Sequence, residues 1–237
     1  MSDQQLQLRS PGGSRVQVTL AADPHVTSVG ARVRFAGGSF ARDFQVGARG
    51  YHDTAIRHML PAVNVDRFLV HGREVVLAEA TEGYSGAVAT LLGPHHELQT
   101  VYGGPVARGS VMSLFGALEI EDSPEGMTVR TRSNTLLDTM LEQLGVFVDG
   151  RASVMVPHPR WATPSLPTHR GARTRHGEVW RLALPDKAGS TRVRDHLYIF
   201  GGARGTAEIA FTDRTDATDE QLLEWMDQFD VAWLNAV

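Results

Sequence analysis

Between Arg151 and Gly177 the chain carries five arginines, three histidines and no acidic residue. They are Arg151, Arg160, Arg170, Arg173 and Arg175, with His158, His169 and His176. A guanidinium grips carboxylate or phosphate as a fork, and an imidazole exchanges protons near neutral pH. The densest part, "PTHRGARTRHGEVW" at 167–180, therefore reads as a loop for something anionic. In that reading Arg170, Arg173 and Arg175 hold a phosphate or carboxylate beside His169 and His176, and Trp161 and Trp180 flank them as stacking surfaces. Prolines at 157, 159, 164 and 167 exclude regular helix and most central-strand pairing. Loops this long without a period tend to be functional or disordered. A plainer reading competes with the first. From Asp213 to Asp230 the chain has seven carboxylates and one arginine, so the basic loop would serve as a strap onto an acidic C-terminal segment.

Other chemistries find less support. Ten histidines invite a metal, yet none stands in an HExxH or HxH spacing. His52 and His58 lie on different faces of any helix, and His95, His96 and Glu97 sit together at a turn. No metal and no cofactor is expected. "GYSGA" at 83–87 lacks the last glycine of a nucleophile elbow and does not open a helix, so Ser85 reads as a turn residue. His52-Asp53 and Asp195-His196 are adjacent pairs whose side chains diverge on a strand. Gly-Gly at 37–38, 103–104 and 201–202 resembles a phosphate cradle only if a helix follows. "IFGGARGTAEIAF" continues instead as strand, which makes Gly201-Gly202 a hairpin turn with positive φ.

The elements that must position these groups are mostly short strands. "RVQV" (15–18) and "ARVRF" (31–35) alternate with period two. "RFLVHGREVVLAEA" (67–80) and "AVATLLGPHHELQTVY" (87–102) each fold back on a turn, at His71-Gly72 and at Gly93-Pro94. The stretch 111–132 reads as another pair, with Met112, Leu114, Leu118 and Ile120 on one face and "DSPEG" as its reversal. Turns this short demand antiparallel pairing. A short helix fits 51–60. Two principal helices are expected at 134–145, with its Leu136, Leu137, Met140, Leu141 and Leu144 stripe, and at 218–234. The second opens on a Thr218-x-x-Gln221 capping box and buries Leu222, Met226, Phe229 and Trp233. Residues 113–148 and 198–234 echo each other as a ββα pattern, Phe115-Gly116 against Phe200-Gly201 and Leu136-Leu137 against Leu222-Leu223.

Composition frames the rest. An apolar fraction of 42% with 21% charged residues is that of a globular domain large enough for its own core. The absence of cysteine removes disulfides, thiolate metal sites and a cysteine nucleophile. A net charge of −4 carries no general signal for nucleic acid. No secretion signal or membrane-length apolar run occurs, so a cytoplasmic protein is expected. The expected fold is α+β, a largely antiparallel sheet of short strands in meander and hairpin connections, as one domain over 1–237 or two lobes at 1–150 and 151–237. The expected function is a soluble, non-enzymatic binding or accessory protein. Its sheet face and loop 157–177 would meet a small anionic molecule or a protein partner, and a homo-oligomer fits as well. The rival is an enzyme on an anionic small molecule, with His169 or His176 as general acid–base.

Overall fold

The computed structural model describes residues 4–21, 25–37, 40–132, 138–162, 166–213 and 215–234. Strand makes up 54% and helix 17%, so antiparallel sheet, far more than helix, sets the architecture. In chain order the hairpin β1 (Gln4–Arg9) and β2 (Arg15–Leu20) precedes β3 (Val26–Gly37) and β4 (Phe40–Ala48). Helix α1 (Tyr51–His58) leads to β5 (Ala62–Val70), β6 (Arg73–Ala80), β7 (Ala87–Leu92) and β8 (His96–Tyr102). Helix α2 (Arg108–Gly116) and the hairpin β9 (Leu118–Ser123) and β10 (Gly126–Thr131) follow. Next come β11 (Asp138–Val148), β12 (Ala152–Pro157), the single turn α3 (Pro159–Ala162), β13 (Ala172–Arg173) and β14 (Gly177–Ala183). The chain closes with β15 (His196–Gly202), β16 (Thr206–Phe211), α4 (Asp219–Asp227) and β17 (Asp230–Leu234). Among the described residues no helix is long and apolar enough to cross a membrane.

Two compact units share this chain: Gly30–Glu142 with Ser10–Gly13, and Gln143–Val237 with Met1–Arg9 and Ser14–Val29. In the 30–142 unit the strands lie in the order β3-β4-β8-β7-β6-β5. Val33, Phe35, Phe44, Leu77, Leu91 and Leu98 line one face of that sheet. Val111 and Phe115 of α2, with Leu118, Met127 and Val129 of the β9–β10 hairpin, cover it. His71 and Gly72 both take positive φ, 50° and 76°, which is the backbone a two-residue hairpin loop requires.

In the 143–237 unit the order is β11-β12-β16-β15-β14-β13, and β17 joins β2 and β1 in a second sheet. Leu222, Trp225 and Met226 of α4 are buried, as are Phe229, Val231 and Trp233 after it. Phe229 meets the Phe200 ring edge-on at 5.0 Å. Both units run through two strands, a helix, four strands and a helix, after which the 30–142 unit has the two strands β9 and β10 and the 143–237 unit the single strand β17, which pairs with β2. Their sheets also have the same order, in which the second strand pairs with the sixth (β4 with β8, β12 with β16) and the third forms the outer edge.

Several expectations change. Of the helix expected at 134–145, residues 134–137 lie outside the described residues, and from Asp138 onward the chain is strand β11. Glu142, Leu144, Val146 and Val148 are buried, whereas Leu141 and Gln143 are half-buried and Phe147 is exposed. Leu141 and Leu144, three apart, share a helix face but lie on opposite faces of a strand, and pairing with β12 and the valine-rich tail "VFV" decide for strand. The helix expected over 218–234 stops at Asp227, and Asp230–Leu234 is β17. Its capping box forms as read, with the Gln221 amide donating to the Thr218 hydroxyl and the Thr218 amide donating to the Gln221 side chain. Met112 and Leu114 belong to α2 rather than to a strand. The echo between 113–148 and 198–234 pairs unlike elements, because Phe115-Gly116 ends a helix and Phe200-Gly201 lies in a strand.

Candidate functional site

Within loop 157–177 the residues after 165 fold as a hairpin on the sheet edge. Ala172 and Arg173 pair with Val179 and Glu178, which makes β13 the outer strand of its sheet. The Thr174 amide donates to the Gly177 carbonyl at 2.9 Å and closes the turn. Three further bonds anchor it. The buried Trp180 indole donates to the His169 carbonyl at 2.7 Å, and the Gly171 amide donates to Glu178 Oε2 at 3.0 Å. Arg175 reaches α4, its amide donating to Asp227 Oδ1 at 3.2 Å and its Nε lying 3.1 Å from Asp227 Oδ2.

Gly201 and Gly202 explain why this edge can pack so closely. They belong to β15, without positive φ, so they are not the turn residues expected, although β15 and β16 do form a hairpin. A Cβ on Gly201 would stand 3.0 Å from the Trp180 ring, and one on Gly177 would stand 2.2 Å from the Gly201 carbonyl oxygen. Absence of a side chain, not backbone conformation, is what these positions require.

The structure places His169, Arg170, Arg173, Arg175 and His176 together on this hairpin, all exposed. Of the three arginines only Arg175 has an ion-pair partner among the described residues, with side chains 66% and 42% exposed at Arg175 and Asp227. Trp161 precedes the hairpin in sequence. It sits half-buried in α3 with its ring 5.1 Å from His158, which in turn meets Trp233 at 4.7 Å. Trp180 is an anchor under the hairpin rather than an open stacking surface. Neither the His169 nor the His176 ring has a hydrogen-bond partner among the described residues, so no carboxylate orients either as a base.

Three polar clusters lie elsewhere. In the 30–142 unit, Glu97 of β8 caps α1 from a distance: its carboxylate accepts from the Gly50 amide at 2.8 Å and the His52 amide at 2.6 Å. Four N–H groups at a helix start lack partners, and a carboxylate there also meets the favourable end of the helix dipole. The His52 ring, buried, lies 2.8 Å from both Thr90 Oγ1 and Asn64 Oδ1. His96 Nδ1 lies 2.8 Å from Asp122 Oδ1, whose other oxygen accepts the His95 and His96 amides. "PHHE" thus splits three ways, and among the described residues no three metal-binding side chains converge.

In the 143–237 unit, the Ser190 hydroxyl donates to Asp195 Oδ2 at 2.5 Å. That bond, reinforced by Lys187, Arg192 and His196, holds the Asp195 carboxyl below its ordinary range. His196 Nδ1 donates to the Arg192 carbonyl at 2.8 Å, not to Asp195. Serine, carboxylate and imidazole are neighbours here without forming a relay in which the imidazole takes the serine proton.

The same unit has an open groove of about 560 Å³ lined by Asp149, Arg151, Asp216, Gln221, Glu224 and Trp225, among others. Arg194 fixes one wall by donating to the Thr215 and Ala217 carbonyls, both at 3.2 Å. Three carboxylates against one guanidinium make its lining acidic, opposite in sign to the hairpin. No local pattern announces the groove, Glu97 or Asp122, since their partners lie far away in sequence. No protein-family model, curated protein or solved structure matches this chain.

Proposed function

We propose that the chain is a non-enzymatic binding or accessory protein that recognises an anionic group through the β13–β14 hairpin. One observation carries this reading. Arg170 and Arg173 stand exposed without an ion-pair partner among the described residues, on a hairpin that hydrogen bonds hold in place. Fixing the loop in advance lowers the ordering cost of binding. The plainer strap reading accounts for Arg175 alone, through Asp227.

The repeated order of elements supports a further step: the chain is a tandem of two copies of one module, each a lobe of its own. Function then resides in what differs between the copies. The outer strand β5 spans nine residues, whereas β13 spans two and is flanked by arginines. Shared order is a property of the fold, and recognition belongs to the residues grafted onto it.

The test is calorimetric titration of the full chain with pyrophosphate and with a polyglutamate peptide. Arg170→Ala and Arg173→Ala should each weaken binding, by about 1–2 kcal/mol for a partly shielded charged contact, while the melting temperature stays nearly constant. Affinity should fall as salt rises, because exposed charges are screened beyond about 8–10 Å. Unaltered affinity in both variants would overturn the reading.

A further inference from the structure

We infer that the anionic partner is an extended acidic protein segment that adds as a strand to β13, an inference resting on the hairpin as the recognition surface. Hydrogen-bonded and non-hydrogen-bonded pairs alternate along an antiparallel ladder. Thr174 bonds Gly177 across the turn, and Arg173 is opposite Glu178. The 173–178 pair is therefore the non-hydrogen-bonded kind, and the N–H and C=O of Arg173 point away from β14. Among the described residues nothing takes them up.

The corresponding edge of the other module is interrupted along its length. Along β5 the register shifts between Asn64 and Asp66, and Asp66 Oδ1 accepts the Arg67 amide at 2.8 Å. A bulge and a side chain turned onto the edge amide are devices that prevent strand addition. On β13 the only acid directly opposite Arg173 has its carboxylate engaged elsewhere, at the Gly171 amide. A bulge and a capped amide interrupt one edge, and the other carries positive charge left unneutralised among the described residues.

The shape of the site selects an extended partner over a compact anion. None of residues 169–176 lines the groove of this unit, and the hairpin presents arginines from an edge rather than around a hollow. A small anion there meets exposed guanidinium alone, which water and salt screen. A strand gains main-chain bonds from the edge and places a carboxylate beside Arg173, with Arg170 on the same hairpin, the combination that gives affinity and selectivity in strand addition. With so short an edge the complex is weak and transient.

The experiment titrates the full chain with a peptide of alternating Glu and Thr. Two modified copies follow, one N-methylated at every Glu amide and one at every Thr amide. Only one set of alternate amides can face β13, so one modified copy should lose about tenfold in affinity, as expected for removal of one or two main-chain bonds, and the other should bind as before. Pyrophosphate and the Arg170→Ala/Arg173→Ala double variant complete the set. Equal binding of all three peptides, weakened in the double variant, would overturn strand addition and leave the anion-binding hairpin standing. Binding of pyrophosphate without any peptide would do the same. Failure of every anion to bind, or peptide binding indifferent to the double variant, would overturn both.

Discussion

Glu178 lies directly across the strand pair from Arg173, yet its carboxylate accepts the Gly171 amide at 3.0 Å instead of pairing with the guanidinium. An anchor that shapes the loop thus leaves a positive charge uncompensated. Glu178→Ala should loosen the start of β13 while leaving the turn at 174–177 closed. Hydrogen exchange should speed up at Gly171, with a global stability loss of about 1 kcal/mol, the typical net value of one hydrogen bond. An unchanged exchange rate at Gly171 would show that Glu178 is not its anchor.

Arg175 and Asp227 form the contact between the hairpin and α4. Both side chains are well exposed, so a double-mutant cycle with Arg175→Ala and Asp227→Ala should give a coupling of about 0–1 kcal/mol. The Asp227 change alone should cost more than the Arg175 change, because it also removes the acceptor of the Arg175 amide. A coupling several times larger would make this contact, rather than the Trp180 anchor, the main support of the hairpin.

How far the sequence could be read follows from which partners are close in the chain. The hairpin at His71-Gly72, the helix at 51–58 and the capping box at Thr218 were legible because each is made by residues within a few positions. The helix expected at 134–145 gives way to strand from Asp138 onward because the spacing of Leu141 and Leu144 suits a helix period, whereas pairing with β12, distant from any local pattern, makes the strand. The apolar residues after Asp227 were correctly read as buried and wrongly read as helical, since burial of Phe229 and Trp233 is compatible with either state. At the site, charge was legible and shape was not. The exposed cluster of Arg170, Arg173 and His176 could be named from composition, but the edge position of β13 depends on pairing with Glu178 and Val179 and on the order of a whole sheet.

Phe229 is fully buried against Phe200 and Trp225. Phe229→Ala should therefore destabilise the chain by about 3–5 kcal/mol, through lost transfer energy and the cavity left behind. Urea denaturation measures it directly. A loss below about 1 kcal/mol would mean that the site collapses around the deletion or that this ring is not a core residue.

The Ser190–Asp195 bond predicts the acid behaviour of its corner. A carboxyl held low in the folded state contributes stability above its unfolded pKa, about 3.9, and loses that contribution as pH falls through the folded value. The largest cause of the lowering is the Ser190 hydroxyl. Ser190→Ala should therefore lower stability at neutral and alkaline pH and move the acid-unfolding midpoint upward, with the difference fading as pH falls through the folded value. A midpoint that stays put in circular dichroism would show that the bond does not set the carboxyl's affinity for protons.

A map of backbone amide shifts in the full chain, recorded as an acidic peptide is added, shows where the peptide binds. If the hairpin is the recognition surface, the shifts gather at His169–Gly177 and along β14, they saturate, and they vanish in the Arg170→Ala/Arg173→Ala variant. Shifts spread over other surfaces, or concentrated at the groove beside α4 with the hairpin silent, would contradict it.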